Sequence, residues 1–112
     1  MRTDNNDVCM CSLENNAMGV SEAITLAKSL RSNHTIASLV LRWNMVGPRG
    51  TQVLAEAIAH HPSLTFLDIA GNNIGNAGVA ALGRCLARNN TLTSLEYGVA
   101  RLLCVIRHQS DF

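Results

Sequence analysis

The sequence predicts an α/β fold: a solenoid shaped as a short horseshoe, with parallel strands on its concave face and helices on its convex face. Three observations predict it. The chain repeats itself every 28 residues without a gap, apolar residues two apart fill the first half of each unit, and apolar residues at helical spacing fill the second half. Strands that alternate with helices in this way predict a parallel sheet covered by helices on one face.

The repeat fixes the boundaries of the units. Three complete units and a partial fourth span residues 8–35, 36–63, 64–91 and 92–98. A lead-in, residues 1–7, precedes them, and a divergent segment, residues 99–112, follows them. Two alternatives are open for this last segment: a short helix that covers the open end of the solenoid, or a divergent terminus.

Equivalent positions of the units hold equivalent residue types. The leucine, asparagine and glycine columns are Cys11, Leu39, Leu67 and Leu95; Asn16, Asn44 and Asn72; and Gly19, Gly47 and Gly75. We expect the leucine column to form the core. We expect the asparagine side chains to bond loop backbone groups that would otherwise be unpaired, and the glycines to adopt positive φ or to allow close approach of the backbone.

The curvature of the predicted solenoid follows from the spacing of its layers. Neighbouring strands stack about 4.8 Å apart, whereas packed helices need about 8–10 Å. The helix side must therefore splay, which makes the strand side concave. No unit buries its apolar stripe alone, so the units stabilise one another by stacking.

Composition narrows the classes of function. The chain has 112 residues, of which 47% are hydrophobic and 15% charged, as in a small globular domain. Its formal net charge of +1 gives no strong field for nucleic acid or an anionic membrane, and we expect neither as a partner. The N-terminus lacks the apolar segment of a secretory signal, and the most apolar run, residues 99–106, is far shorter than the ~20 residues that span a membrane.

No catalytic, cofactor or metal site is predicted. The four cysteines, at positions 9, 11, 85 and 104, have no zinc-type spacing, and thiols in a reducing compartment explain them better than disulfides. His60 and His61 are adjacent and so do not share a helix face; a solvated helix end is expected there. No phosphate-binding glycine loop and no nucleophile elbow are present. We therefore expect a protein that is not an enzyme.

The third unit carries the clearest form of a known motif. It contains L-x-x-L-x-L-x-x-N-x-I-G as LTFLDIAGNNIG, followed by the helical GVAALGRCLARN. This pattern resembles the ribonuclease-inhibitor class of leucine-rich repeats, and the resemblance covers residues 8–98. The uniform 28-residue unit is more similar to the repeats of NOD-like receptors and of the GTPase-activating protein of Ran. The resemblance implies a leucine-rich repeat solenoid, a cytoplasmic location, and protein binding through the concave face or its loops.

The chain departs from this class in the number and regularity of its units. Members of the class usually carry many more units. After Tyr97 the fourth unit has Ala100 in place of asparagine and Leu103 in place of glycine. At about three units a solenoid is near the limit of its stability and needs caps at its ends.

A cluster on the predicted concave face is the candidate partner-binding site. Strand side chains beside the core positions point to that face. Tryptophan and arginine are the residue types favoured in binding hot spots, and exposed aromatic residues outside the core call for an explanation. The cluster consists of Val40, Arg42, Trp43, Phe66 and Asp68. The structural alternative is that Trp43 packs on the neighbouring loop and that Phe66 is a scattered apolar residue.

These observations support three functional hypotheses. The first is a protein-interaction module whose protein partner binds the concave face. The second is a regulatory GTPase activator, with Arg42 or Arg49 supplied to the partner. The third is a fragment of a longer NOD-like-receptor-type sensor whose units only extend a solenoid, with self-association through the open ends.

Overall fold

The computed structural model describes residues 9–98 and 101–103, and their side chains for residues 10–98. In chain order its elements are β1 (Cys9–Ser12), α1 (Val20–Ser32), β2 (Ile36–Val40), α2 (Gly47–Ile58), β3 (Phe66–Asp68), α3 (Gly75–Arg88), β4 (Ser94–Glu96) and β5 (Arg101–Leu103). The predicted lead-in, residues 1–7, lies outside the described residues. The alternation of strand and helix confirms the predicted α/β solenoid.

The sheet places the repeating units side by side. Its strand order is β1-β2-β3-β4-β5, and β1 to β4 pair in parallel. Leu39 lies opposite Leu67, and Leu67 lies opposite Leu95. Because residues 28 apart in the sequence are neighbours in the sheet, the sequence repeat is also the structural repeat.

The strand β5 breaks the parallel pattern. It pairs antiparallel with β4, so that Ser94 lies opposite Leu103 and Glu96 lies opposite Arg101. A short helix, one of the two expectations for the divergent segment, is therefore wrong for residues 101–103. The remainder of that segment, residues 99–100 and 104–112, lies outside the described residues.

The core lies between the sheet and the helices. The leucine column is almost fully buried in the second, third and fourth units, and Cys11 at its open end is half-buried. Each helix adds an apolar stripe, which in α2 includes Leu54 and Ile58. Burial of one such side chain contributes about 1.5–3 kcal/mol. The largest fully buried side chains of the core are Leu39, Leu41, Leu54, Ile58, Leu64, Leu67, Ile69, Leu92 and Leu95.

The buried amide of Asn44 joins the first and second units. Its Oδ1 accepts the backbone N–H groups of Asn16 (2.8 Å) and Met18 (2.9 Å). Its Nδ2 donates to the backbone carbonyls of Leu13 (2.8 Å) and Leu41 (3.0 Å). Asn44 thus satisfies the backbone of its own loop and that of the preceding unit.

Asn72 repeats this arrangement one unit further on. Its Oδ1 accepts the N–H of Val46 (3.1 Å), and its Nδ2 donates to the carbonyls of Leu41 (2.7 Å) and Ile69 (3.1 Å). The carbonyl of Leu41 accepts from the Nδ2 groups of both Asn44 and Asn72. The predicted role of the asparagine column is confirmed at these two positions.

The glycine column has two conformations. Gly47 and Gly75 have φ of 69° and 67°, as expected for a column that needs the left-handed region. Gly19 has φ of −104°, so the expectation of positive φ is wrong there. At Gly19 the N–H donates to Oε1 of Glu22 (2.9 Å), which helps to satisfy the N-terminus of α1.

A second column of polar side chains closes the ends of the helices. Asn33 follows α1, and its Oδ1 accepts the N–H of Ile36 (2.9 Å). Asn89 follows α3, and its Oδ1 accepts the N–H groups of Thr91 (2.8 Å) and Leu92 (2.6 Å). Each asparagine therefore turns the chain from the end of a helix toward the next strand.

In the middle unit a histidine takes the place of this asparagine. His61 is only 4% exposed, and its Nδ1 accepts the N–H groups of Ser63 and Leu64, both at 3.2 Å. The expected solvated helix end is therefore wrong at His61, although His60 is exposed. Burial lowers the pKa of His61 below its usual value near 6.5; His34 adds to this effect, and the backbone of Asn33 opposes it.

We predict that Asn72→Ala lowers the free energy of unfolding by about 3 kcal/mol, because it leaves several buried backbone groups without a partner. Asn16→Ala is the matched control, since Asn16 is exposed and its side chain makes no hydrogen bond in the part of the chain that the structure describes. It should cost less than about 0.5 kcal/mol. Urea unfolding followed by circular dichroism measures both values. Equal losses would contradict a special role for the buried amides.

We predict that His61 makes the fold sensitive to acid. The pKa of His61 is lower in the folded state than in the unfolded state, so between these two values the unfolded state binds more protons. Stability is therefore full above about pH 6.5 and falls as the pH drops toward the folded-state pKa, by at most about 1.4 kcal/mol per pH unit. Protonation of Nδ1 would also abolish its two accepted hydrogen bonds.

His61→Asn tests this prediction, because asparagine already occupies the equivalent positions 33 and 89. The variant should fold as well as the parent at about pH 7.5 and lose less stability by about pH 5.5. Urea unfolding at a series of pH values measures the difference. Parallel pH profiles of parent and variant would exclude His61 as the origin of the acid sensitivity.

Candidate interaction surface on the strand face

The sheet brings together the five residues of the predicted binding cluster. Val40 on β2 lies opposite Asp68 on β3, and Phe66 begins β3. Arg42 and Trp43 follow β2 after one intervening residue, Leu41. The N–H of Trp43 donates to the carbonyl of Ala70 (3.0 Å), so the pairing between the second and third units continues beyond the strands.

Asp68 lies beneath this surface and is not exposed on it. It is 2% exposed, so the expectation that it is presented to a partner is wrong. Its Oδ1 accepts the N–H of Ala70 (3.1 Å), and its Oδ2 lies 3.3 Å from Nε of Arg42. The contact with Arg42 is an ion pair, in which Nε has no hydrogen-bond partner among the residues that the structure describes. Asp68 therefore acts on the surface through Arg42.

The ion pair fixes the position of Arg42 at the edge of the strand face. The Arg42 side chain is 42% exposed, so its buried Nε faces Asp68 while other parts of the side chain remain accessible. Burial raises the pKa of the Asp68 carboxyl. The N–H of Ala70 and the charge of Arg42 act in the opposite direction, and Glu96 on β4 raises the pKa further. The cost of burying the Asp68 charge is thus only partly offset by its neighbours.

Trp43 has an unusual backbone conformation for a large side chain. Its φ is 60°, in the left-handed region, which is uncommon for bulky residues. The equivalent residues in the neighbouring units are Asn15 and Gly71, with φ of 61° and 74°. Asparagine and glycine tolerate this conformation at little cost. The loop therefore requires the left-handed region, and Trp43 adopts it at the expense of stability.

The indole of Trp43 packs on the next loop and remains largely exposed. A Cβ atom added to Gly71 would lie 2.7 Å from Cζ3 and 2.8 Å from Cδ2 of Trp43. The ring therefore lies against Gly71, as the structural alternative for Trp43 predicts, although Gly71 itself remains exposed. Trp43 is nevertheless 57% exposed, so contact with the loop and availability to a partner exist together.

One exposed apolar residue near this cluster was missed by the sequence analysis. Met45 is 68% exposed, and it lies two residues after Trp43 in the loop between β2 and α2. The equivalent residues of the other units are Ala17 and Asn73. This contrast was visible in the sequence, but the strand periodicity used to choose the cluster ends before the loop.

Other kinds of site find no support in residues 9–98 and 101–103. In that part of the chain no group of three or more His, Cys, Asp or Glu side chains could hold a metal ion. Within the same residues no helix has the length and hydropathy needed to cross a membrane. Cys85 is buried in α3, as expected for a packing residue.

The stacked strand–loop–helix units and the amides between them define a leucine-rich repeat solenoid. A family model described as "Leucine Rich repeat" matches residues 60–83, which include the end of the second unit and most of the third. No curated protein sequence matches the chain significantly.

Comparison with solved structures identifies a protein with a similar fold. The chain is similar to the structure titled "Leiomodin-1 Actin-Binding Site 2 (ABS2)", with a TM-score of 0.75 and 27% sequence identity. The match covers 83% of this chain and 55% of that one, so the present chain spans little more than half of its neighbour. These comparisons suggest a protein-interaction module built of leucine-rich repeats.

We predict that Gly71→Ala lowers the free energy of unfolding by about 2 kcal/mol, because the new methyl group meets the Trp43 ring and the backbone has positive φ. In a Trp43→Asn background the steric part should disappear, leaving a loss of about 1 kcal/mol. A double-mutant cycle from urea unfolding measures the coupling between the two sites. Additive losses would show that the ring does not lie on Gly71 in solution.

Proposed function

We propose that the chain is a protein-interaction module that binds its partner through the concave strand face. The observation that carries this proposal is the exposed Trp43 beside Arg42, which Asp68 holds in place from below. A large aromatic ring and a fixed guanidinium group are the elements of a binding hot spot. Val40 and Phe66, both partly buried, would supply the apolar surroundings of that hot spot.

Actin is the first partner to test. The support for it is the printed title of the similar structure, which is an actin-binding site of leiomodin-1. The identity of 27% and the partial coverage make actin a hypothesis for this chain and not an inherited property. Repeat proteins that bind other partners would share the same fold, so the similarity of fold does not specify the partner.

We also propose a repeat type, a cellular location and a mode of self-association for this chain. The ribonuclease-inhibitor type is supported by the helices of 12–14 residues in the three units and by the uniform 28-residue period. We propose a cytoplasmic protein that binds neither nucleic acid nor membrane, on the grounds of its composition and net charge of +1. Self-association through the open ends is also proposed, supported by the exposure of Val79 (44%) on α3.

Regulation of a GTPase, or a role as part of a NOD-like-receptor-type sensor, is the second candidate. The observation that favours a GTPase activator is the accessibility of Arg42 and Arg49, either of which could be offered to a nucleotide-bound partner. Stimulation of GTP hydrolysis by a purified small GTPase would support this candidate. Loss of that stimulation in Arg49→Ala, but not in Lys28→Ala, would assign the arginine.

We predict that Arg42→Ala weakens partner binding by more than about tenfold, because hot-spot arginines contribute about 2 kcal/mol or more. Phe66→Ser should weaken binding in the same direction. Lys28→Ala, an exposed change on α1, is the control and should leave the affinity unchanged. Co-sedimentation with actin filaments and binding to monomeric actin measure the effect.

The same variants test the proposal if actin does not bind. The full chain is then used to capture partners from a cell extract, and the captured proteins are compared between parent, Arg42→Ala, Phe66→Ser and Lys28→Ala. A partner lost with the two strand-face variants and kept with Lys28→Ala supports the concave face. Partners that are insensitive to both strand-face variants contradict it.

A further inference from the structure

The loop between β2 and α2 exposes a surface that shares Trp43 with the strand-face cluster and extends beyond that cluster. Trp43 and Met45 are 57% and 68% exposed, and Arg49 follows them in the first turn of α2. We call Trp43, Met45 and Arg49 the loop patch. We propose that the loop patch binds an acidic amphipathic segment of a partner protein, whose apolar side chains contact Trp43 and Met45 while a carboxylate pairs with Arg49. This inference rests on the proposed protein-binding function and adds the chemistry of the partner.

The apolar half of the loop patch is not required by the fold. Asn15 and Gly71 serve at the position of Trp43, and Ala17 and Asn73 serve at the position of Met45. A tryptophan with positive φ costs stability of about 1 kcal/mol or more relative to glycine. Because both side chains are mostly exposed, burial does not repay this cost. Large apolar groups held in solvent under these conditions indicate a docking surface.

Charge complementarity indicates the sign of the charge that the partner segment carries. The first turn of a helix carries a partial positive charge, which disfavours a cation there. Arg49 nevertheless occupies the first turn of α2, and neither α2 nor α3 has an acidic residue in its first turn. In the first unit, Glu14 lies in the loop between β1 and α1, and Glu22 lies in the first turn of α1. Glu22 accepts a hydrogen bond from the N–H of Gly19. An acidic group therefore fits best on the side of α2 and α3.

A protein segment suits this surface better than a nucleic acid does. Single-stranded nucleic acids are bound by several aromatic side chains in a strongly basic groove. The loop patch has one aromatic ring, and its other large group is the thioether of Met45. Methionine adapts to many apolar side chains and is common on surfaces that bind amphipathic helices. The whole chain, with a net charge of +1, also lacks a basic field.

Trp43 allows a direct test because it is the only tryptophan of the chain. The full chain is titrated with three synthetic amphipathic helical peptides that share one leucine stripe and carry Glu, Gln or Lys on its flanks. Binding of the Glu peptide should shift the emission of Trp43 to shorter wavelength. The affinity of the chain for the Glu peptide should exceed its affinity for the Lys peptide by about tenfold at low salt. Added salt should reduce this difference.

Two variants assign the contacts, with fluorescence anisotropy of labelled peptides as the measurement. Arg49→Glu should reverse the preference from the Glu peptide to the Lys peptide, and Met45→Asn should weaken the Glu peptide about fivefold. Val79→Asn, which removes an exposed apolar side chain on α3, is the control and should leave the affinity unchanged. Circular dichroism verifies that each variant is folded.

The proposal is overturned if the three peptides bind equally, if Arg49→Glu does not change the preference, or if a single-stranded oligothymidine binds Trp43 more tightly than the Glu peptide. Its failure is distinguishable from failure of the proposed function. If Phe66→Ser abolishes binding of a partner while Met45→Asn and Arg49→Glu retain it, the strand-face proposal stands and the loop-patch proposal is refuted. If none of these variants affects binding of the partner, both proposals are refuted.

Discussion

The loops between strands and helices contain buried backbone groups that no regular element pairs, and this constraint governs the whole molecule. Asn44 and Asn72 satisfy these groups, and each does so for its own unit and for the unit before it. A unit is therefore incomplete until its successor is in place. Apolar stacking drives the units together, but the amides determine how they align, because a shift by one residue would leave buried groups unpaired.

This division of labour leaves the strand face and the loops free to vary. The core positions and the amide positions carry the stability, so the residues between them are held on a rigid frame without having to be apolar or small. Arg42 and Trp43 show the consequence: each lies next to a structural position that recurs in every unit, and each contacts the neighbouring unit. Asp68 is the exception, since its side chain is buried and supports Arg42 from beneath the surface.

The sequence predicted what depends on periodicity and missed what depends on local context. The 28-residue columns identified the parallel register of Leu39, Leu67 and Leu95, because a core position has to recur wherever the units stack. The burial of Asp68 and of His61 was not predictable in this way. At both positions the side chain type suggests exposure, and only the contacts with Arg42 or with the backbone of Ser63 and Leu64 explain why it is inside.

The candidate site shows the same limit. Strand alternation selected Val40, Arg42 and Phe66, and the chemistry of tryptophan drew attention to Trp43. Neither argument reaches Met45 or the relation between Trp43 and Gly71, since these depend on the path of the loop and on the absence of a side chain at Gly71. Comparison of the three loops position by position would have shown that the other loops have the smaller Ala17 or the polar Asn73 where the second has Met45. The fold therefore does not require a large apolar residue at this position.

The reversed strand β5 gives the sheet two unlike margins. Strands β1, β2 and β3 each pair in parallel with the strand of the next unit, but β5 runs antiparallel to β4 and presents an edge of the opposite direction. Parallel and antiparallel ladders differ in hydrogen-bond pattern, so another unit of this repeat has no matching template beside β5. The described sheet therefore ends in a strand whose direction is opposite to that of the four repeating strands.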